Sequence, residues 1–265
     1  MKVAEDQKLR KFVEEMLYDD QSPKAIALRI KKREKHLASV SKNSIYRFVK
    51  SVHGRRIEAH RQKRKKRLRR RRSKRSKMLD GRIFIDQRPL SSNKRLQIGH
   101  VEADFIVSGK AGKGILLVVA DRKSRATFLE RILTVTIENV HRAFLRIKQR
   151  FPEMKTVTTD NDILLQKHKE LETLLAVKIY FCHPYHSWEK GTVENTNGYI
   201  RRDIPKGSDI SRYSPQVIRE LEIKLNRRMM ECLDSKTPNE ILAESRKQKK
   251  RRNAKMKNKK DGCSD

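Results

Sequence analysis

The sequence predicts an α/β fold: a mixed five-stranded sheet with flanking helices, plus a small helical module at the N-terminus. Three observations predict it. From about 95 to 243 the composition is that of an ordinary globular domain, and the pattern is three strands in a row, then helix and strand in alternation. From 1 to 54 the apolar residues fall at helical spacing. Two basic stretches bracket the central section. From Arg61 to Lys77, 13 of 17 residues are Lys or Arg, and from Arg246 to Lys260, 10 of 15 are. The expected organisation is a helical module over 1–54, a basic linker over 55–94, a core domain over 95–243 and a disordered basic tail over 244–265.

The N-terminal module reads as three helices. Leu9, Phe12, Val13, Met16 and Leu17 mark the first. Ser22 followed by Pro23 gives an N-cap and a proline at the first helical position. The second helix carries Ile26, Ala27 and Ile30, and a break spans Arg33 to Val40. Ser41 caps a third helix bearing Ile45, Phe48, Val49 and Val52. Ser41, Lys42, Asn43, Ser44 and Arg47 are then the candidates for DNA contact, because the last helix of a helix-turn-helix enters the major groove. The alternative is a three-helix bundle that only packs. The adjoining arginine-rich run favours DNA.

In the core, HVEADFIVSG is the first strand and GILLVVADRKS the second, whose apolar run Ile115–Ala120 predicts burial on both faces. ATFLERIL is the third strand. A helix follows with Val140, Phe144, Leu145 and Ile147 on one side. KTVTTD is a short fourth strand, HKELETLLA a helix and VKIYFCHPY the fifth strand. A helix then carries KGTVENTNGYIRR, and a longer one runs from about Pro215 to Leu233. A ribonuclease-H-like fold has this order.

Composition narrows the function. The 265 residues carry 66 Lys+Arg against 32 Asp+Glu, a formal net charge of +34. Such an excess repels itself until a polyanion neutralises it. A lysine and arginine run along a phosphate backbone releases counterions and binds with strong salt dependence. The chain contains no apolar run near the ~18 residues of a membrane span, and its first residues do not read as a signal peptide. Cys182, Cys232 and Cys263 are an odd number without paired spacing, as expected in a reducing compartment.

Three acids stand out. Asp104 lies inside an apolar strand, where an uncompensated carboxylate is costly. Asp160 ends the fourth strand, the edge of an open α/β sheet where ligands gather. Glu194 begins the helix after the fifth strand, and 33 residues separate it from Asp160. Each has an ordinary reading: a satisfied buried acid, a turn aspartate, a first-turn glutamate favoured by the helix dipole. Together, on adjacent elements, they predict a carboxylate cluster that needs cations between its members. Hard oxygen ligands suit Mg²⁺ or Mn²⁺. Two such ions ~4 Å apart serve displacement at phosphorus.

HVEADFIVSGK, VTTDND followed by His168, and YFCHPYHSWEKGTVENTNGYIRRDIPKGSD resemble the DDE transposases of the insertion-sequence-thirty family, within the retroviral-integrase superfamily. The resemblance covers about 20 to 243 and includes SPKAIALRIKK, VSKNSIYRFV and KTPNEIL. It implies a ribonuclease-H-like integrase catalytic core and divalent-metal-dependent cleavage and strand transfer at the ends of an insertion sequence. Asp104, Asp160 and Glu194 fall on the family's catalytic, metal-binding acids. The family pattern is altered around them, at Val101, Ala103, Asp162, Leu164, Leu165 and Val193, without loss of an acid. The implied partners are double-stranded DNA, both element ends and target, and further copies of the chain on that DNA, in a prokaryotic cytoplasm at the nucleoid.

In the third motif, Asn195 and Asn197 are placed to orient Glu194 or to contact DNA. Lys190, Arg201 and Arg202 are placed to meet phosphates. His183 and His186 beside Cys182 have no fourth ligand at suitable spacing, which argues against a structural zinc site. The competing functions are a DNA-binding protein derived from a transposase that has lost catalysis, and a ribonuclease H or junction nuclease on the same fold.

Overall fold

The computed structural model describes residues 2–63, 81–184 and 186–261, with the backbone alone at 61–63, 187 and 252–261. Most of the Arg61–Lys77 run, and Cys263, lie outside the described residues. The chain divides into two compact units, Met1–Arg64 with Asn226–Asp265, and Lys65–Leu225.

The first unit is helical. It contains α1 (Lys2–Glu5), α2 (Gln7–Tyr18), α3 (Pro23–Lys32), α4 (Lys42–Lys50) and α5 (Arg55–Lys63). Its core is the set of periodic apolar residues read from the sequence, among them Leu9, Val13, Leu17, Ile26, Ile30, Ile45 and Phe48, joined by Ile57 of α5. The caps are as expected. The Ser22 hydroxyl accepts from the Ala25 N–H at 3.1 Å, and the Ser41 hydroxyl from the Ser44 N–H at 3.2 Å. Residues 55–63, expected as linker, are helix because Ile57 has a core to enter.

The second unit opens with α6 (Leu90–Asn93) and continues through β1 (His100–Val107), β2 (Ile115–Asp121), β3 (Thr127–Ile132), α7 (Ile137–Arg150), β4 (Thr156–Thr159), α8 (His168–Leu175), β5 (Lys178–Phe181), α9 (Gly191–Asp203) and α10 (Pro215–Asn226). The sheet order is β3-β2-β1-β4-β5. The β1–β2 and β2–β3 pairs are antiparallel, whereas β1–β4 and β4–β5 are parallel. This is the ribonuclease-H-like arrangement. Every residue of β2 is buried, as its unbroken apolar run predicts. The chain enters β1 through Gly99 at φ +107, where an added Cβ would lie 2.0 Å from the Glu153 carbonyl oxygen. Residues 81–94, also expected as linker, are built onto the sheet: Phe84 bridges to Phe181, and Arg88 is buried.

Two further expectations need correction. The helix from Pro215 stops at Asn226, well short of Leu233. The sequence there has no breaker. Past that end, within the first unit, the Met229 N–H donates to Gln21 Oε1 at 2.8 Å. The tail expected to be disordered is helical up to Asp261, in α11 (Pro238–Asp261). Thr237 and Glu240 form a reciprocal capping box, with Thr237 N–H donating to Glu240 Oε2 at 2.7 Å and Glu240 N–H to Thr237 Oγ1 at 3.2 Å. From 239 to 261 the chain has no glycine or proline and is rich in Lys and Arg, both good helix formers.

Candidate active site

Side chains alternate along a strand, so Glu102 and Asp104 of β1 share one face. In the parallel β1–β4 pair, Glu102 lies opposite Thr158. Two residues further on, Asp104 comes level with Asp160, just past the end of β4. Helix α9 packs over this face, burying Val193, Ile200 and Ile204 against Ile106, Leu116 and Val118.

Glu102 fixes where α9 begins. It is fully buried, and one carboxylate oxygen accepts from the N–H groups of Thr192 and Val193 at 2.8 and 3.0 Å. A carboxylate at a helix N-terminus satisfies orphan donors and meets the positive end of the dipole. The other oxygen pairs with the buried Arg122 guanidinium. Arg122 Nε also donates to the Ser92 carbonyl at 3.1 Å. Arg88 lies nearby and donates to Thr158 Oγ1 at 3.1 Å; burial, then Arg122, pushes it down to about 10.

Lys190 precedes α9, at the end of a 3-10 turn over Ser187–Lys190. Its buried ammonium lies 3.0 Å from Asp104 Oδ1 and 3.2 Å from Asp160 Oδ2. Asn197 Nδ2 donates to the other Asp104 oxygen at 2.6 Å. Burial disfavours the Lys190 ammonium, but Asp160 and Asp104 outweigh that and hold it above the ordinary lysine range. Burial pushes the Asp104 carboxyl up; Lys190 opposes this and Asp160 adds to it. Two shielded oxygens here, Asp160 Oδ1 and Asn197 Oδ1, have no hydrogen-bond partner among the described residues.

Glu194 is exposed on α9, one turn after Lys190 and one turn before Asn197. It therefore lies on the stripe whose other members bind Asp104. Arg201 extends the stripe by one more turn. Burial lowers its pKa, and the Asp104 charge partly restores it. Asn195 is exposed on a neighbouring face together with Arg202, whose guanidinium lies 4.5 Å from the Tyr199 ring centroid. In the first unit, Lys42, Asn43 and Arg47 are exposed on α4, together with Tyr46 and Lys50. Ser41 is also exposed, but its hydroxyl serves as the helix cap, and Ser44 is half-buried.

Two aspartates against one ammonium leave a formal charge of −1 where Asp104 of β1 meets the end of β4, with Glu194 one turn along α9 from Lys190. Together with the two orphaned oxygens, this donor set suits a divalent cation that prefers oxygen. Sequence reasoning placed Lys190 on phosphate, whereas the structure places it between two of the acids. It missed Glu102, although a glutamate inside VEADF carries the same cost signal as Asp104. It also missed Arg82, which donates to Asn161 Oδ1 at 3.1 Å and lies over the Phe181 ring.

No protein-family model matches the chain. It is 34% identical over 237 residues to the transposase for insertion sequence element IS4351 of Bacteroides fragilis, a match covering 88% of this chain and 72% of that one. It is 34% identical over 164 residues to the transposase for IS1086 of Cupriavidus metallidurans, covering 61% and 48% respectively. It is 35% identical over 162 residues to the transposase InsI for IS30A of Escherichia coli, covering 60% and 41%. The chain thus spans less than half the length of those last two relatives. Among solved structures it is similar to the catalytic core of BIV integrase, with a TM-score of 0.42 and 18% identity over 57% of this chain and 97% of that one. No helix among the described residues is long and apolar enough to cross a membrane.

Proposed function

The chain belongs to the IS30 family of transposases, and from that premise we propose that it cleaves and joins DNA at the ends of an insertion sequence through Asp104, Asp160 and Glu194. One observation carries the reading: a single buried lysine bridges acids from two neighbouring strands, one helical turn from the third. In this reading the three carboxylates would hold Mg²⁺ or Mn²⁺, two ions in the two-metal scheme, which would supply charge neutralisation at phosphorus and acidify the attacking oxygen.

The chain's own groups do the rest. The carboxylates fix the donor positions. Asn197 holds the Asp104 carboxylate in orientation. The Lys190 ammonium yields its place between the aspartates and meets a phosphate oxygen. Water attacks phosphorus at the element end, one P–O bond breaks, and a 3′-hydroxyl is freed. That hydroxyl attacks a target phosphate, forming one P–O bond and breaking another. The helical unit, with Lys42, Asn43 and Arg47 outward, and the basic stretches hold the duplex. At least two copies act together, because two ends must be joined. The proposed domain roles follow: DNA-binding over 1–54, catalysis over 95–243.

The test uses labelled DNA carrying the ends of the element that encodes the chain. Metal-dependent nicking and joining are expected from the full chain and absent from Asp160→Ala and Glu194→Ala, with binding retained in both. Binding without cleavage under either metal, unaffected by either substitution, would leave a DNA-binding relic. Cleavage of hybrids or junctions without joining would favour a nuclease.

A further inference from the structure

A second cluster lies on the turn between β5 and α9. His186 N–H donates to the His183 carbonyl and Glu189 N–H to the His186 carbonyl, both at 3.1 Å, so the turn advances three residues at a time. With three residues per turn, side chains at i and i+3 eclipse. His183, His186 and Glu189 are spaced in this way, and one ligand atom from each lies within 4.8 Å of the others.

We propose that these three residues bind a divalent transition metal of the Zn²⁺ class, separate from the oxygen-only acid site. Glu189 Oε1 lies 2.9 Å from His183 Nδ1 and 3.9 Å from His186 Nδ1. A tetrahedral ion with bonds of ~2.0–2.2 Å separates its ligands by roughly 3.3–3.5 Å, so the observed spacings straddle the required one. Two imidazoles and a carboxylate form a borderline donor set that suits Zn²⁺ better than Mg²⁺.

Two independent features point the same way. His186 Nδ1 is shielded and has no hydrogen-bond partner among the described residues. If His183 were only an imidazolium between two carboxylates, that nitrogen would stay orphaned; a metal would use it. On the far side of the His183 ring, Nε2 lies 2.8 Å from Asp86 Oδ2. A carboxylate behind a ligand histidine fixes its tautomer and raises its basicity. The rings are also held in place. Phe84 stacks on His183 with an interplanar angle of 6°, and Trp188 meets the edge of His186 at 4.5 Å. Three protein ligands leave one position for water. The sequence argues against zinc because His183, His186 and Cys182 have no fourth ligand at suitable spacing, and it does not bring Glu189 to the histidines. Cys182 is buried, and Glu189 turns in instead.

The test is calorimetric titration of the metal-stripped full chain with Zn²⁺ in saturating Mg²⁺, with Co²⁺ absorption as a coordination probe. One equivalent is expected, with a tetrahedral Co²⁺ spectrum. Affinity should collapse in His186→Ala and Glu189→Gln, both partly exposed positions, and fall about 10–100-fold in Asp86→Asn, which removes no ligand. It should be unchanged in Asp160→Ala. No saturable binding by the parent chain would overturn the proposal. So would binding unaffected by His186→Ala and Glu189→Gln, or binding lost in Asp160→Ala, which would assign the ion to the acid site.

Discussion

Replacing Glu102 with glutamine tests how α9, and with it Glu194, is positioned. The amide keeps an oxygen for the Thr192 and Val193 N–H groups. It removes the charge that faces Arg122, leaving a buried guanidinium beside buried Arg88 with no counter-ion of its own. Breaking one partner of a buried ion pair costs about 3–5 kcal/mol. A domain of this size loses roughly 2–4 °C per kcal/mol, so the thermal midpoint of the second unit should fall by about 6–20 °C. Circular dichroism melts of the full chain measure this, with Arg122→Met and the double variant completing a cycle. The double variant should be less destabilised than the sum of the singles by at least about 1 kcal/mol, because the orphaned charge is then gone. A single-variant loss below about 1 kcal/mol, or strict additivity, would show that Glu102 does not anchor the helix.

Lys190→Met removes the ammonium that separates Asp104 and Asp160. In EDTA its thermal midpoint should fall below that of the parent, and Mg²⁺ should raise it more than it raises the parent's. Equal Mg²⁺ shifts would refute the competition between lysine and metal. Gly99→Ala forces an L side chain into φ +107 and toward the Glu153 carbonyl. Urea unfolding should show a loss greater than about 1 kcal/mol, and a neutral result would contradict the backbone assignment. Burial alone would raise the Glu240 carboxyl, but the Thr237 N–H and Arg29 outweigh it and hold it below the ordinary glutamate range. A depressed folded-state pKa gives stability that is complete above the unfolded value and lost as pH falls through the folded one. Acid melts should therefore show the first unit weakening below the ordinary glutamate pKa, and Glu240→Gln should flatten that slope.

Much of this architecture was legible in the sequence, for identifiable reasons. Strand β2 and the N-terminal helices announce themselves through unbroken or periodic apolar residues, and Ser22 and Ser41 through cap chemistry. Asp104 and Asp160 were legible because a carboxylate inside or ending an apolar strand needs a reason. Lys190 was not legible as their partner, since a lysine's reach across 86 residues of sequence depends on how α9 packs. The end of α10 was hidden because no glycine or proline marks it in the sequence. In the tail, the density of like charge suggests disorder, whereas helix propensity and the Thr237–Glu240 box carry the helix.

That tail has a mechanical consequence. A helix of 24 residues rises 1.5 Å per residue and is about 36 Å long, close to the ~34 Å of one duplex turn. A flexible basic chain would spread its charge as a cloud whose reach grows only as the square root of its length. A rod sets Arg246, Lys247, Lys249, Lys250 and Arg251 at fixed intervals, so in the proposed DNA-binding role its grip depends on alignment as well as charge. Lengthening it by two alanines would rotate every later cation by about 200° at constant net charge, altering which phosphates it can reach at once. Length and phase, beyond composition, then become the variables on which this segment is tuned.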